Sequence, residues 1–464
     1  PLFEQCWVMA ARRKAQQADL VIINHYLLFA DLTLREQGFG ELLPDADVII
    51  LDEAHQLPDI AGRFFGQAIS GRQLQDYVRD AHTELGELGG DMPELARTFT
   101  ALANAEKGFA QALAREPRRS SRAWLDLADD TSLQAQARLA TLLQQAQVQL
   151  EPVAERSEGM ASLLRRAGEL CERLAAVNQD ERDNVSWIEP RGNIGWVWHS
   201  TPLDIAEPFA RAISAYPGAW IFTSATLAVD NSLAYFCARL GLGEVECHIL
   251  PSPFDYANNA RLYVPARMPA TNAPDYTNAV AEQAIALIRA AGGGAFVLCT
   301  SYRALHACAQ ALTAAGMAPL VQGQGARAAL LSAFRQQQDQ VLVGTSSFWQ
   351  GVDVRGHGLR LVIIDKLPFA APSDPVLAAR SRAIKQAGGD PFMDHTLPQT
   401  VISLKQGVGR LIRDSRDRGL LAICDTRLYN RRYAVKIRNS LPPMPVTRDL
   451  DEALTFLQQL EPLA

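Results

Sequence analysis

An aspartate followed at once by a glutamate, with a histidine two residues on, closes the short apolar run Val48-Ile49-Ile50-Leu51-Asp52-Glu53-Ala54-His55. Adjacent carboxylates at a strand end suit nucleoside-triphosphate hydrolysis. Asp52 would hold Mg²⁺, usually through water, and Glu53 would orient or deprotonate the attacking water. His55 would couple that chemistry to the rest of the protein. A solvated acidic turn uses the same residues without chemistry. The unbroken apolar run ahead of the acids favours the first reading, because it predicts a strand buried on both faces of a parallel sheet, and ligands bind just beyond the carboxyl ends of such strands.

Other elements must place that pair. A basic and apolar mixture predicts a helix over Trp7–Ala18, then a strand at Leu20–Ile23, with Asn24 either capping a helix that starts at Tyr26–Ala30 or acting at the nucleotide or the nucleic acid. From 61 to 183 the pattern is helical throughout, with apolar positions at three- and four-residue spacing in Ala135–Leu150 and Met160–Ala176. Strands resume at Trp196–Trp198 and Ala219–Phe222, the latter delivering Thr223-Ser224-Ala225-Thr226-Leu227, whose hydroxyls could bond a neighbouring carboxylate or histidine. After a proline-punctuated linker, Ala295–Cys299, Val341–Val343, Leu361–Ile364 and Leu420–Cys424 alternate with helices over Tyr276–Ala290 and Ala304–Ala315, which predicts a second parallel α/β sheet. On a continuous helix Gln406, Gly409, Arg410 and Arg413 would share one face. Beside the acidic motif they read as phosphate-facing groups.

Composition narrows the class. The chain has 464 residues, 48% apolar and 21% charged, which allows several domains and a substantial core. No apolar run reaches the ~18–20 residues of a membrane span. The net charge of −6 excludes a wholesale nucleic-acid coat, yet leaves room for a local basic groove. The seven cysteines are scattered and odd in number, as in a reducing cytoplasmic protein.

Taken in order, VIILDEAH (48–55), TSATL (223–227), VLVGTSSFWQGVDVRG (341–356), VIIDKLPFAAPSDP (362–375) and LKQGVGRLIRD (404–414) resemble the superfamily-two helicases of the XPD type, in the DinG/YoaA branch of bacterial iron–sulfur helicases. The resemblance covers essentially the whole chain. It implies an α/β protein of two RecA-like parallel-sheet domains that hydrolyse ATP in the cleft between them, with a helical, Arch-like insertion in the first. The implied division is the end of an iron–sulfur domain at 1–6, helicase domain 1 at 7–60 and 186–250, the insertion at 61–185, and helicase domain 2 at 251–464. The implied activity is ATP-dependent 5′→3′ translocation on single-stranded DNA, with forked or duplex DNA as substrate, in repair or the response to replication stress.

The resemblance also assigns residues. Asp52 and Glu53 match the magnesium-binding and water-activating acids, and His55 the residue linking them to the other domain. Thr223, Ser224 and Thr226 match the motif coupling hydrolysis to movement. Gly351, Asp353 and Gly409 match nucleotide-facing positions, and Gln406, Arg410 and Arg413 match the last motif, its arginines acting as fingers on the transferred phosphoryl group. Phe348 and Trp349 could stack on bases or pack in the core. Gln350 stands where many relatives have glutamate. The implied cofactors are ATP, Mg²⁺ and a 4Fe–4S cluster, of whose four cysteine ligands only Cys6 has a match here.

A phosphate-cradling G-x-x-x-x-G-K-[ST] is missing, since none of the six lysines follows a glycine. The chain therefore reads as the C-terminal two-thirds of a helicase, inactive by itself. A rival class is a non-hydrolysing nucleic-acid-binding scaffold on the same fold. Such a scaffold has no physical need for Asp52, Glu53, Arg410 and Arg413 together.

Overall fold

The computed structural model describes residues 6–36, 42–114, 121–179, 183–192, 195–337, 339–345, 348 and 358–460. They form two compact units. The first comprises Pro1–Thr223, Cys237–Gly243 and Ala371–Pro391, and the second Ser224–Phe236, Glu244–Ala370 and Phe392–Ala464.

In the first unit, helices Trp7–Gln16 and His25–Glu36 precede β1 (Val48–Leu51). Asn24 Oδ1 accepts the Leu27 amide at 2.8 Å, so Asn24 does cap the second helix. The expected strand at Leu20–Ile23 is absent: this segment is irregular, with Leu20 and Ile22 exposed. A strand needs a partner ladder, and among the described residues β1 pairs only with β6 (Ala219–Phe222), in parallel. The same narrowness corrects the burial expected of β1. Only Leu51 is buried, while Val48 and Ile50 are exposed, because a strand is covered on both faces only within a sheet layered on both sides.

Among the described residues two strands interrupt the segment expected to be wholly helical, β2 (Gln67–Ser70) and β3 (Arg122–Ala123). With β4 (Asn184–Arg191) and β5 (Gly195–Pro202) they form an antiparallel sheet of order β2-β5-β4-β3. The expected Trp196–Trp198 strand is the middle of β5. In β5, Trp196, Trp198, Ser200 and Pro202 are buried and alternate with more exposed residues, the period-two signature of a sheet covered on one face. That face packs on helices Gly71–Glu87, Pro93–Leu113, Asp130–Leu150 and Glu158–Asn178, sharing one core with Tyr77, Phe99, Phe109 and Leu143. Local signals start these helices. Ser70 and Gln73 form a reciprocal capping box, and Asp129 and Ser157 cap the third and fourth. Short strands inside a helix-rich stretch escape periodicity because four residues or fewer carry too little pattern.

Helix Pro375–Gln386, from the second half of the chain, belongs to this first unit. Its buried Arg380 donates from Nε to the Leu203 carbonyl at 3.1 Å.

Among the described residues the second unit is built on seven parallel strands, adding β7 (Ala260–Tyr263), β8 (Ala295–Leu298), β9 (Leu320–Val321), β10 (Val341–Gly344), β11 (Leu361–Ile364), β12 (Gly419–Ile423) and β13 (Val446–Thr447) in the order β13-β7-β12-β11-β8-β10-β9. Here both faces are covered. Leu361 and Ile363 enter one apolar layer, Val362 and Ile364 the other, which is why these strands read as unbroken apolar runs. Phe348 lies in the second of those layers, with Val362 and Ile364, and the Arg327 guanidinium is 5.4 Å from its ring centroid. Of its two expected uses, the structure takes core packing.

Two predictions follow from buried polar groups. Ser186 Oγ donates to the Val177 carbonyl at 2.5 Å and accepts the Trp198 indole N–H at 2.8 Å. Ser186→Ala strands both groups in the core and should destabilise by about 1–3 kcal/mol, read by urea unfolding. At the end of β11, Asp365 accepts from the Thr300 amide at 3.0 Å, the Thr300 hydroxyl at 3.0 Å and the Lys366 amide at 2.7 Å. Burial outweighs those bonds and raises its carboxyl to about 6. The folded state therefore holds a proton that the unfolded state has lost, so this group's contribution falls as pH rises from about 4 to about 6. Asp365→Asn keeps an acceptor for the amides and a donor for Thr300. Its stability relative to the parent should improve across that window by on the order of 3 kcal/mol, and a pH-independent difference would refute the assignment.

Candidate active site

The candidate site begins where β1 ends. The register pairs Leu51 with Phe222, so Asp52 and Thr223 emerge side by side at the carboxyl ends of neighbouring parallel strands. Two backbone bonds extend the ladder into the loops, Thr223 N–H to Leu51 O at 2.9 Å and Ala54 N–H to Thr223 O at 3.0 Å.

The chain turns sharply at once. Glu53 is left-handed, at φ 50° and ψ 40°, a conformation that costs a non-glycine residue roughly 1–2 kcal/mol. Its amide is held by Asp52 Oδ1 at 2.9 Å. The turn runs through Ala54–Gln56 into helix Leu57–Phe64, and it leaves both carboxylates exposed while burying the side chain of His55, whose Nδ1 lies 3.2 Å from Glu53 Oε2. Asp52, Glu53, His55 and Thr223 are thus brought together in the first unit. Exposed carboxylate oxygens suit Mg²⁺, which takes one or two protein carboxylates and completes its shell with water and phosphate oxygens.

The division between the units falls between Thr223 and Ser224. Ser224 and Thr226 therefore belong to the second, with Oγ and Oγ1 3.3 Å apart and Thr226 buried. Two residues on, the Ala228 carbonyl accepts Lys405 Nζ at 3.0 Å. Lys405 was not singled out from the sequence, although it stands within the quoted LKQGVGRLIRD. Burial lowers its ammonium pKa.

Gln406 lies in the last turn of helix Leu397–Val408, but the helix stops there. Gly409 is its C-cap, Arg410 sits in a turn and Arg413 in a loop, so the single helical face expected for Gln406, Gly409, Arg410 and Arg413 is not formed. Glycine at 407 and 409 weakens the helix. Leu411 and Ile412 are then buried, and the buried Asp417 carboxylate accepts the amides of Arg413 and Asp414, both at 2.8 Å, in place of helical carbonyls. Trp349, Gln350, Gly351 and Asp353 lie outside the described residues.

Cys6 precedes helix Trp7–Gln16, and Cys299, Cys308 and Cys424 are buried in the second unit. A 4Fe–4S cluster takes four thiolates. Among the described residues no group of three or more His, Cys, Asp or Glu is placed to hold a metal ion, so these residues do not assemble that ligand set. Also among them, no helix is long and apolar enough to cross a membrane.

A helicase C-terminal domain family profile matches residues 284–444. The ATP-dependent DNA helicase YoaA of Escherichia coli K12 is 42% identical over 462 residues, covering 98% of this chain and 72% of that protein. YoaA of Haemophilus influenzae is 41% identical over 464 residues, with 99% and 72% covered. Among solved structures, Xpd4 of S. tokodaii superposes with a TM-score of 0.52 at 17% identity, covering 86% of this chain and 75% of that one. An apo XPD structure gives 0.55 at 14% identity, covering 91% and 80%. These structures share the fold, parallel sheets with helical insertions. Relatives above 40% identity match across nearly the whole length of this chain, and on that ground the chain belongs to the YoaA/DinG family of ATP-dependent DNA helicases.

Proposed function

We propose that this protein couples ATP hydrolysis to 5′→3′ movement along single-stranded DNA and separates forked or duplex DNA, in repair or the response to replication stress within the cytoplasm. The observation that carries the proposal is the exposed Asp52–Glu53 pair at the end of a parallel strand, bonded backbone to backbone with the Thr223 segment.

In this reading Asp52 would hold Mg²⁺, which would supply neutralisation of charge on the phosphates. Glu53 accepts a proton from the attacking water, and His55 holds the Glu53 carboxylate in place. Thr223, Ser224 and Thr226 transmit the state of the site along the segment that runs from one unit to the other. Gln406, Arg410 and Arg413 contact the phosphates, with Gly351, Asp353 and Gly409 at the nucleotide. Cys6 would supply one thiolate ligand to a 4Fe–4S cluster. Residues 7–60 and 186–250 serve as helicase domain 1, 61–185 as the Arch-like insertion and 251–464 as helicase domain 2. The 464-residue chain has no phosphate loop, so by itself it hydrolyses ATP slowly.

Glu53→Gln keeps the side-chain shape and removes the proton acceptor, while Arg410→Lys keeps charge and loses the planar fork. In the full-length helicase both should bind ATP and single-stranded DNA normally. Both should lose hydrolysis and unwinding, Arg410→Lys by about 10³–10⁵-fold. DNA-stimulated hydrolysis within a few-fold of the parent in both variants would replace this mechanism with a binding scaffold.

Movement along any sequence requires contacts to phosphates. Titrating single-stranded DNA against salt should give a log–log slope of about −0.7 per phosphate neutralised. Salt-independent or single-sequence binding would contradict this mode.

A further inference from the structure

Arg35 stands where three stretches of chain that build the candidate site converge. It lies in the last turn of helix His25–Glu36, and its Nε donates to Asp31 Oδ2 at 2.7 Å, one turn back. Nη1 donates to Asp45 Oδ1 at 2.7 Å and Nη2 to the Leu43 carbonyl at 2.7 Å, both on the segment leading into β1. The guanidinium also lies over the Tyr216 ring, 4.7 Å from its centroid, on the segment leading into β6. Asp31, fully buried, accepts the amides of Leu42 and Leu43 at 2.6 and 2.9 Å, and the Tyr216 hydroxyl donates to the Pro44 carbonyl at 3.2 Å.

The clamp closes directly ahead of the strand pair. Ala219 N–H donates to Asp47 O at 2.8 Å, and at Gly218, whose φ is 129°, a Cβ would lie 2.5 Å from the Ala46 carbonyl oxygen. The two lead-ins are therefore pressed together backbone to backbone, with the arginine fork spanning them. A slip of one residue between the strands would turn every side chain to the opposite face. It would also move Asp52 and Glu53 away from Thr223.

We propose that Arg35 is a positioning residue for ATP hydrolysis: by pinning the lead-in of β1 to that of β6 it holds the register that sets Asp52 and Glu53 beside Thr223. The catalytic half of this proposal rests on the reading of Glu53 given above. The register half does not.

The test uses the full-length helicase with Arg35→Lys, which keeps the charge but cannot reach Asp31, Asp45 and Leu43 together. Hydrogen exchange at the Ala54 and Thr223 amides should accelerate about ten-fold, while amides of the β2–β5 ladder stay at the parent rate. The kcat for DNA-stimulated hydrolysis should fall about 10–100-fold, as small misplacements of reacting groups do, with KM for ATP unchanged. Parental kcat, or exchange raised uniformly through the first unit, would reduce Arg35 to a general stabiliser and overturn the proposal. If Arg35→Lys does not fold, Tyr216→Phe must show the same localised exchange and the same split between kcat and KM at smaller amplitude, and its absence would equally overturn it. A parent that exchanges as expected yet hydrolyses no ATP would sink the reading of Glu53 and leave the register clamp standing.

Discussion

The parallel pairing of β1 with β6 is the constraint on which the first unit's chemistry depends. Parallel strands that are neighbours in a sheet deliver their following residues to the same edge, and the in-register pairing of Leu51 with Phe222 places two motifs about 170 residues apart in the chain within one backbone hydrogen bond of each other. From that edge the left-handed Glu53 turns the chain away, so that Asp52 and Glu53 stay exposed while Ala54 and Leu57 are buried. Local strain of this kind persists only where its surroundings hold it. Here the Asp52 carboxylate and the Thr223 carbonyl take the two amides that flank the turn.

The second unit solves the same placement problem differently. Its strands are buried on both faces, so their ends are rigid, and the loops beyond them are pinned by buried aspartates that accept backbone amides. Asp365 holds Thr300 and Lys366, Asp417 holds Arg413 and Asp414, and Asp425 holds Leu367 at 2.9 Å while pairing with Arg427 at 2.7 Å. A carboxylate inside a protein satisfies several donors at once, which lets an irregular loop hold a defined shape without helix or ladder. The loop carrying Arg410 and Arg413 is one such case. There the amides of Arg413 and Asp414 are tied to the Asp417 carboxylate.

The antiparallel sheet and its helices show how a large insertion can hold together around its own core. Trp196 and Trp198 close the face of β5 on the helices, and each indole N–H reaches a buried acceptor, Glu106 at 3.1 Å and Ser186 at 2.8 Å. Large aromatic area with a satisfied polar edge secures a packed core without an orphaned donor. The cost of Gly71→Ala can be read from the same place, since an added Cβ would lie 2.4 Å from Glu106 and 2.8 Å from the Trp196 ring nitrogen.

Much of this was legible in the residues. The acid pair after an apolar run, the hydroxyls after Phe222, the cap at Asn24 and the strands at Ala219–Phe222 and Leu361–Ile364 depend on local pattern, and local pattern is a property of the chain. So is family membership, carried by motifs in a fixed order. Tertiary structure decided the rest. Leu20–Ile23 has the composition of a strand, but a strand exists only as half of a pair. Helical periodicity ran past Val408 on paper, yet burial of Leu411 and Ile412 and the amides taken by Asp417 ended the helix there. Phe348 carried either use equally until the core of the second sheet enclosed it. Arg35 and Asp31 gave no sign of their role, because an arginine and an aspartate four residues apart on a helix most often make an ordinary surface pair, and only the return of residues 42–47 and Tyr216 onto that helix turns the pair into a clamp.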